Sequence, residues 1–249
     1  MTTDWQSDVA VILAAHGDRG GVESARANAS LLAHAKSLAA LAQFRLVTAG
    51  VLKGEPALEA ALAEARRSNA LRIAVYPFFM ADGYFVKSVL PARIEAGAMS
   101  AACRILAPLG IDEKLPPLIL AEALAAGARA GFDPASTRLL VVGHGSALGP
   151  ASANATRKAA THITGLGGFA TVATAFLEEP PFLDAALAEP HPQTVVAGFF
   201  SGDGLHAGED VPAAIAETGA NAVYAGSIGG AAAIPGLILQ ALERTFAPG

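Results

Sequence analysis

The sequence predicts an α/β protein built as two tandem, doubly wound lobes, each a parallel sheet with helices on both faces. Three observations carry this. Short apolar runs alternate with alanine-rich stretches of helical period from one end to the other, the pattern of parallel strands joined by crossover helices. The second half restates the first residue by residue in several places, as a duplicated domain would. Finally, 249 residues suit either one large domain or two of about 120, given a usual size of about 100–150 residues, and the repeat favours two.

In order, strands are expected at 9–15, 44–52, 72–79 and 104–107, each an apolar run too short for a helix and ended by polar or turn residues. Between and after them lie helical stretches at 22–42, 56–67, 86–96 and 115–130, whose alanine and leucine stripes are packing faces. Residues 131–137, with Phe132-Asp133-Pro134, read as a linker. The pattern then restarts, with strands at 138–143, 169–177, 194–200 and 222–227, helices between them and a last helix at 232–246. The expected division is therefore 1–131 and 132–249.

The repeat is specific. His16-Gly17 corresponds to His144-Gly145, and Ala60-Ala61-Leu62-Ala63-Glu64 recurs as Ala185-Ala186-Leu187-Ala188-Glu189. Phe78-Phe79, Asp82-Gly83 and Pro91 recur as Phe199-Phe200, Asp203-Gly204 and Pro212. Parallel α/β sheets present ligands at the carboxyl ends of their strands, so two lobes in tandem would most simply bind something large in the cleft between them.

Composition narrows the function. Apolar residues make up 53% and charged residues 16%, but the early apolar run 9–15 is stopped by His16, well short of the roughly 20 residues of a membrane span. The acidic start, with Asp4 and Asp8, lacks the basic flank of a secretory signal, so a soluble cytoplasmic protein is expected, with no membrane partner. The single cysteine, Cys103, excludes an internal disulfide framework and a cysteine-based zinc cage. A net charge of −5 without a run of Lys or Arg argues against a nucleic-acid partner.

Two strand-end loops stand out: 141–149 around His144, and 199–212, which carries His206, Glu209 and Asp210 among glycines just before a helix. The two halves differ there. Aligned on the shared Asp-Gly, His206 is opposite Phe85, Gly208 opposite Lys87, Glu209 opposite Ser88 and Asp210 opposite Val89. Aligned on the shared Ala-Ala-Leu-Ala-Glu, Glu178 is opposite Lys53 and Glu179 opposite Gly54. At these strand ends the second half thus holds two histidines and several carboxylates, whereas the first keeps one histidine and gains lysines.

Two neutral imidazoles beside a carboxylate suit a borderline divalent metal such as iron(II), cobalt(II), nickel(II) or zinc, and three protein groups would leave positions open for a substrate. A histidine can also accept a proton near neutral pH. A strand-end histidine can instead be a hydrogen-bonded structural residue; the recurrence at two strand ends, each before a helix, favours function. Glu178 and Glu179 could simply begin the next helix, and Asp210 could cap the helix ahead of Pro212. His34 and His162 lie in helical stretches and read as surface or boundary residues, and His191 sits in a turn between prolines. Gly143-x-Gly145-x-x-x-Gly149 is a weak dinucleotide signal, and Ser146 is not in a nucleophile elbow, since His144 lies two residues before it.

Val142-Gly143-His144-Gly145-Ser146, then Ala175-Phe176-Leu177-Glu178 with Pro181 beyond, then Phe199-Phe200 leading to Gly204-Leu205-His206 and Asp210-Val211-Pro212, resemble the three signature segments of the class II chelatases. The likeness is to the CbiX and SirB group, the sirohydrochlorin cobaltochelatases and ferrochelatases. It covers most of 138–215 and, through the repeat, more weakly 9–94. The resemblance implies a two-lobed chelatase fold, a lyase that inserts cobalt or iron into a tetrapyrrole of cobalamin or siroheme biosynthesis without ATP or an organic cofactor. It carries the metal-binding and proton-accepting roles over to His144 and His206, and that of the middle segment to Glu178.

The first half departs from that pattern at Phe85 and Lys53, so one site is expected, assembled mainly by the second half, with the first lobe degenerate. The substrate that the resemblance implies is a polycarboxylate, which a chain of net negative charge would have to meet with local cations. Lys53 and Lys87, with Arg19 or Arg93, are expected to supply them, and Ser146 and Ser201 are grouped with these as substrate-binding residues. Alternative readings are a chelatase for nickel or for a porphyrin-like ring, a non-catalytic tetrapyrrole or metal carrier, and a two-lobed binding protein for a small polar ligand.

Overall fold

The computed structural model describes residues 5–17, 21–97, 103–146, 149–202, 204 and 206–247, with the backbone alone for 21–27, 206 and 207. Its elements run β1 (Val9–Ala15), α1 (Gly21–Leu41), β2 (Leu46–Val51), α2 (Leu58–Arg67), β3 (Arg72–Pro77), α3 (Leu90–Ala96), β4 (Cys103–Ile105) and α4 (Leu115–Arg129). They continue with β5 (Thr137–Gly143), α5 (Ala151–Leu166), β6 (Thr171–Phe176), α6 (Leu183–Ala188), β7 (Gln193–Gly198), α7 (Val211–Thr218), β8 (Ala222–Ser227) and α8 (Ile234–Phe246). The expected alternation is therefore present throughout.

The strands form two four-stranded sheets of the same topology, β2-β1-β3-β4 and β6-β5-β7-β8, and every pairing is parallel. Central strands β1 and β5 are buried along nearly their whole length, which is why they read as continuous apolar runs rather than as alternation. In each sheet the chain steps from the central strand to one side and then crosses over to the other. The order therefore reverses between β1 and β3, and again between β5 and β7, and such a switch point opens a crevice beyond the carboxyl ends of those two strands. His16 directly follows β1 and His144 directly follows β5.

The first compact unit comprises residues 1–112 and 232–249. Its core joins Ile12, Ala14, Ile73 and Val75 of the sheet to Leu58 and Leu62 of α2 and to Leu90 and Ile94 of α3. Helix α8 packs on α1, and its Phe246 stacks on Trp5 at 6.2 Å and lies under the Arg72 guanidinium at 5.5 Å. Arg244 of α8 is paired with Asp112 at 2.7 Å.

The second compact unit is 113–231, with a core of Leu140, Val142, Ala175, Leu183, Leu187, Val196, Phe200 and Val211. Helix α4 packs on β7 and β8 of this unit, where Ile119, Ala123 and Ala126 are buried. Burying a side chain such as Ile119 stabilises by about 1.5–3 kcal/mol.

The division into 1–131 and 132–249 is therefore corrected. The last helix of each half of the sequence belongs to the compact unit built on the other half's sheet. An amphipathic pattern shows that α4 and α8 bury a face, but not which of two near-identical sheets receives it. The helix expected at 86–96 is also modified: Phe85–Val89 is a π-helical turn that runs into α3, and His206–Asp210 repeats it before α7. Such widened turns concentrate at functional sites. His34, expected at a surface or boundary, is buried against Phe78, with ring centroids 5.5 Å apart.

Candidate active site

The backbone of the second unit delivers its chemistry to the switch point between β5 and β7. The residue after β5, His144, accepts the Glu178 N–H through its carbonyl at 2.9 Å, which ties the loop after β6 to the loop after β5. Phe199, the residue after β7, donates its N–H to Val142 at 2.7 Å. From there the chain leads to the π-helical turn that begins at His206, closed by Gly208 N–H on the Gly204 carbonyl at 2.8 Å. The His206 side chain lies outside the described residues.

Side chains then meet at His144. Its Nδ1 is 3.2 Å from the Gly145 carbonyl and 3.5 Å from Glu178 Oε2. Both neighbours are acceptors, which favours the proton on Nδ1; in that neutral tautomer the lone pair falls on Nε2, the atom that could ligate a metal. The His144 and Glu178 side chains are 38% and 51% exposed, open enough for an incoming ion to reach both. Among the described residues, no group of three or more His, Cys, Asp or Glu side chains is gathered as a metal cage. The described part of the candidate site is a pair, one imidazole and one carboxylate, donor types that could ligate a borderline metal while leaving positions open.

Beside this pair stand two residues that sequence reasoning did not place in the site. Glu179 takes the Ser146 backbone N–H on Oε2 and the Arg157 guanidinium on Oε1, each at 3.0 Å. Arg157 in turn lies over the Phe176 ring at 4.8 Å. Glu178 and Glu179 are thus loop residues ahead of α6, not members of its first turn. The signal for Glu179 was its place opposite Gly54 in the repeat; Arg157, a charge on a helix, offered none. Asp210 stands at the N-cap position of α7 without a side-chain cap hydrogen bond.

The first unit keeps the backbone and changes the chemistry. Lys53 N–H donates to the His16 carbonyl at 2.9 Å, as Glu178 does to His144, and Phe85 opens a π-helical turn as His206 does. The sequence alignment of Lys53 with Glu178 and of Phe85 with His206 therefore holds in three dimensions. His16 Nδ1 meets the Gly17 carbonyl at 2.8 Å, and the Phe85 ring packs edge-on against the imidazole at 4.5 Å. Phe79 stacks behind Phe85 at 6.3 Å, so an aromatic wall stands beside His16, built around the residue aligned with His206.

The expected cations are distributed unevenly. Lys53 is exposed at the end of β2. Lys87 is paired with Asp82 at 3.2 Å, and Arg93 is bound by Glu59 and by the Leu52 carbonyl. Arg19 lies outside the described residues. Ser146 enters the site through its backbone N–H, and Ser201 is exposed in the loop after β7, its backbone tight against Gly229.

Comparison with known proteins gives this geometry its family. The CbiX family model matches residues 10–126 and 138–245, in two segments that follow the internal repeat. A probable sirohydrochlorin cobaltochelatase of Halobacterium salinarum is 26% identical over 202 residues, covering 72% of this chain and 68% of that one. The structure of CbiX, the terminal enzyme for biosynthesis of siroheme in denitrifying bacteria, is similar over 94% of this chain and 98% of its own, at 30% identity and a TM-score of 0.79. SirB from Bacillus subtilis with Fe3+ shares the fold, with 96% of each chain covered, 20% identity and a TM-score of 0.78. With the family model spanning both halves and the repeated sheets carrying its segments, the chain belongs to the CbiX family.

Proposed function

We propose that this chain inserts a divalent metal ion, cobalt(II) or iron(II), into sirohydrochlorin without ATP, and that the second unit carries the reaction. The observation that carries this reading is the His144–Glu178 pair at the β5–β7 switch point, in a chain of the CbiX family. The chemistry asks for two things at once. Two pyrrole N–H protons must leave the macrocycle, and the metal must exchange protein and water ligands for four ring nitrogens. A cage of four tight ligands could not release its ion. One neutral imidazole, one carboxylate and open positions hold it loosely enough.

In this reading His144 Nε2 is a metal ligand, Glu178 is the second, and His206, which begins the π-helical turn after β7, is the third. The imidazoles and the carboxylate are also the local bases for the departing protons. The first unit, with Phe85 and Lys53 in place of His206 and Glu178, is not a second insertion site. Lys53, exposed after β2, is proposed as the main cation for a substrate carboxylate, with Lys87 and Arg93, each already ion-paired, and Arg19 secondary, and Ser146 and Ser201 are further substrate contacts. A cytoplasmic location is part of the same proposal.

An anaerobic assay with sirohydrochlorin and cobalt(II), iron(II) or nickel(II), followed by the spectrum of the metallated ring, tests it. Turnover well beyond one equivalent per chain is expected with cobalt(II) or iron(II). A reaction that stops at one equivalent would make the protein a carrier, and preference for nickel(II) would change the assigned metal.

A further inference from the structure

The peptide group between Gly145 and Ser146 is gripped from both sides. Its N–H is taken by Glu179 Oε2 at 3.0 Å, and its C=O faces His144 Nδ1 at 3.2 Å. The other carboxylate oxygen of Glu179 is held by Arg157 at 3.0 Å, and Arg157 is seated on the Phe176 ring at 4.8 Å. One peptide plane therefore links an arginine–glutamate pair to the inner nitrogen of the histidine that faces the site. Gly145 makes the link possible: its φ is +74°, and a Cβ there would lie 2.8 Å from Glu179 Cγ.

We propose that Glu179 and Arg157 are positioning residues that act on His144 through this peptide. Hydrogen bonds in series polarise one another, so a carboxylate on the N–H makes the carbonyl a better acceptor for Nδ1–H. That holds the ring plane and keeps the proton on Nδ1, which leaves Nε2 as the ligating atom. Outer contacts of this kind fix the tautomer and orientation of metal-ligating histidines; here the contact is relayed by the main chain rather than made directly by a side chain.

The repeat supplies an internal contrast. In the first unit His16 Nδ1 still meets the Gly17 carbonyl at 2.8 Å. Gly54 stands where Glu179 does, and the positions of α1 that correspond to Arg157, residues 29–32, read Ala-Ser-Leu-Leu. The first-unit residues aligned with Glu179 and Arg157 thus have no side chains able to build this relay, whereas the half that carries Glu178 and His206 does. It rests on the reading of His144 as a metal ligand, and its test separates the two ideas.

The experiment compares wild type with Glu179→Ala, Glu179→Gln, Arg157→Gln and His144→Ala by three measurements: the histidine tautomer from 15N NMR of the metal-free protein, cobalt(II) affinity with the visible spectrum of the bound ion, and steady-state insertion. In wild type the neutral His144 ring should carry its proton on Nδ1. Glu179→Ala should raise the Nε2–H population, weaken cobalt(II) binding by about 10- to 100-fold, alter the cobalt spectrum and lower kcat, with KM for the tetrapyrrole within about twofold of wild type. Glu179→Gln keeps an oxygen for the Ser146 N–H and should recover part of the loss, and Arg157→Gln should fall between. If His144→Ala abolishes cobalt binding while Glu179→Ala leaves tautomer and affinity unchanged, the relay is wrong and His144 stands as ligand. If His144→Ala leaves affinity unchanged, the ligand reading falls and takes the relay with it. Should Glu179→Ala not fold, an Nε2–H tautomer in wild type would overturn the relay alone.

Discussion

Replacing Gly145 by alanine tests the packing behind His144, and the fold supplies its own control. Gly145 and Gly131 both have φ of +74°, but a Cβ at Gly131 would meet nothing within 4 Å, whereas at Gly145 it would lie 2.8 Å from Glu179 Cγ and 3.2 Å from Phe176 Cβ. A left-handed backbone costs an alanine about 1–2 kcal/mol, and that cost, with any gain from stiffening the unfolded chain, is common to both variants. Overpacking against a glutamate stem and a buried phenylalanine adds about 1–3 kcal/mol. Gly131→Ala should therefore lose about 1–2 kcal/mol and Gly145→Ala about 2–5. Both residues lie in the 113–231 unit, so the comparison is within one cooperative body. Urea unfolding should be followed by far-UV circular dichroism, since the single tryptophan, Trp5, belongs to the other unit. With a urea slope of about 2 kcal/mol per molar, the two midpoints should differ by about 1 M. Equal midpoints would mean that the Gly145 peptide is not pressed against Glu179 and Phe176, and the described geometry would fail.

Two other outcomes are expected. Lys53→Glu should raise KM for sirohydrochlorin about fivefold, the effect of roughly 1 kcal/mol at an exposed charge, while cobalt(II) affinity stays within about twofold; Lys87→Glu should do less, because Lys87 is already paired with Asp82. An unchanged KM in Lys53→Glu would remove Lys53 from substrate binding. Cys103 in β4 has its thiol pushed up by burial, so its alkylation at neutral pH should be slower in the folded protein than in urea and should accelerate as pH rises; equal rates in both states would contradict that burial.

How much of this could be read from the chain follows from how local each signal is. Strands β1 and β5 were legible because both faces are buried and apolar residues run unbroken over 9–15 and over 139–142. The repeat then fixed the alignment of Phe85 with His206 and Lys53 with Glu178, which the matching backbone hydrogen bonds reproduce. The pairing of α4 and α8 with the opposite halves was not legible, because two sheets of the same sequence pattern offer equivalent faces. The π-helical turn at 85–89 was read as ordinary helix, since a widened turn leaves the apolar spacing of 86–96 almost intact, and the one at 206–210 was read as a glycine-rich loop ahead of a helix. Arg157 was invisible for a different reason: its partners, Glu179 and Phe176, lie far away in sequence, and a lone arginine on a helix looks like a solvated charge. Lys87 and Arg93 read as substrate-facing cations, but each has an acidic partner in its own unit, and an ion pair with a neighbour cannot be seen in a charge count.

The most direct test of the central claim, one metal-insertion site carried by the second unit, is a single multiple-turnover assay of cobalt(II) insertion into sirohydrochlorin by His144→Ala and His16→Ala side by side. The two histidines follow equivalent strands and make the same Nδ1 contact to the next carbonyl, so they differ mainly in what surrounds them. Loss of turnover in His144→Ala with near-wild-type turnover in His16→Ala is the predicted result. Equal loss in both, or loss in His16→Ala alone, would contradict it.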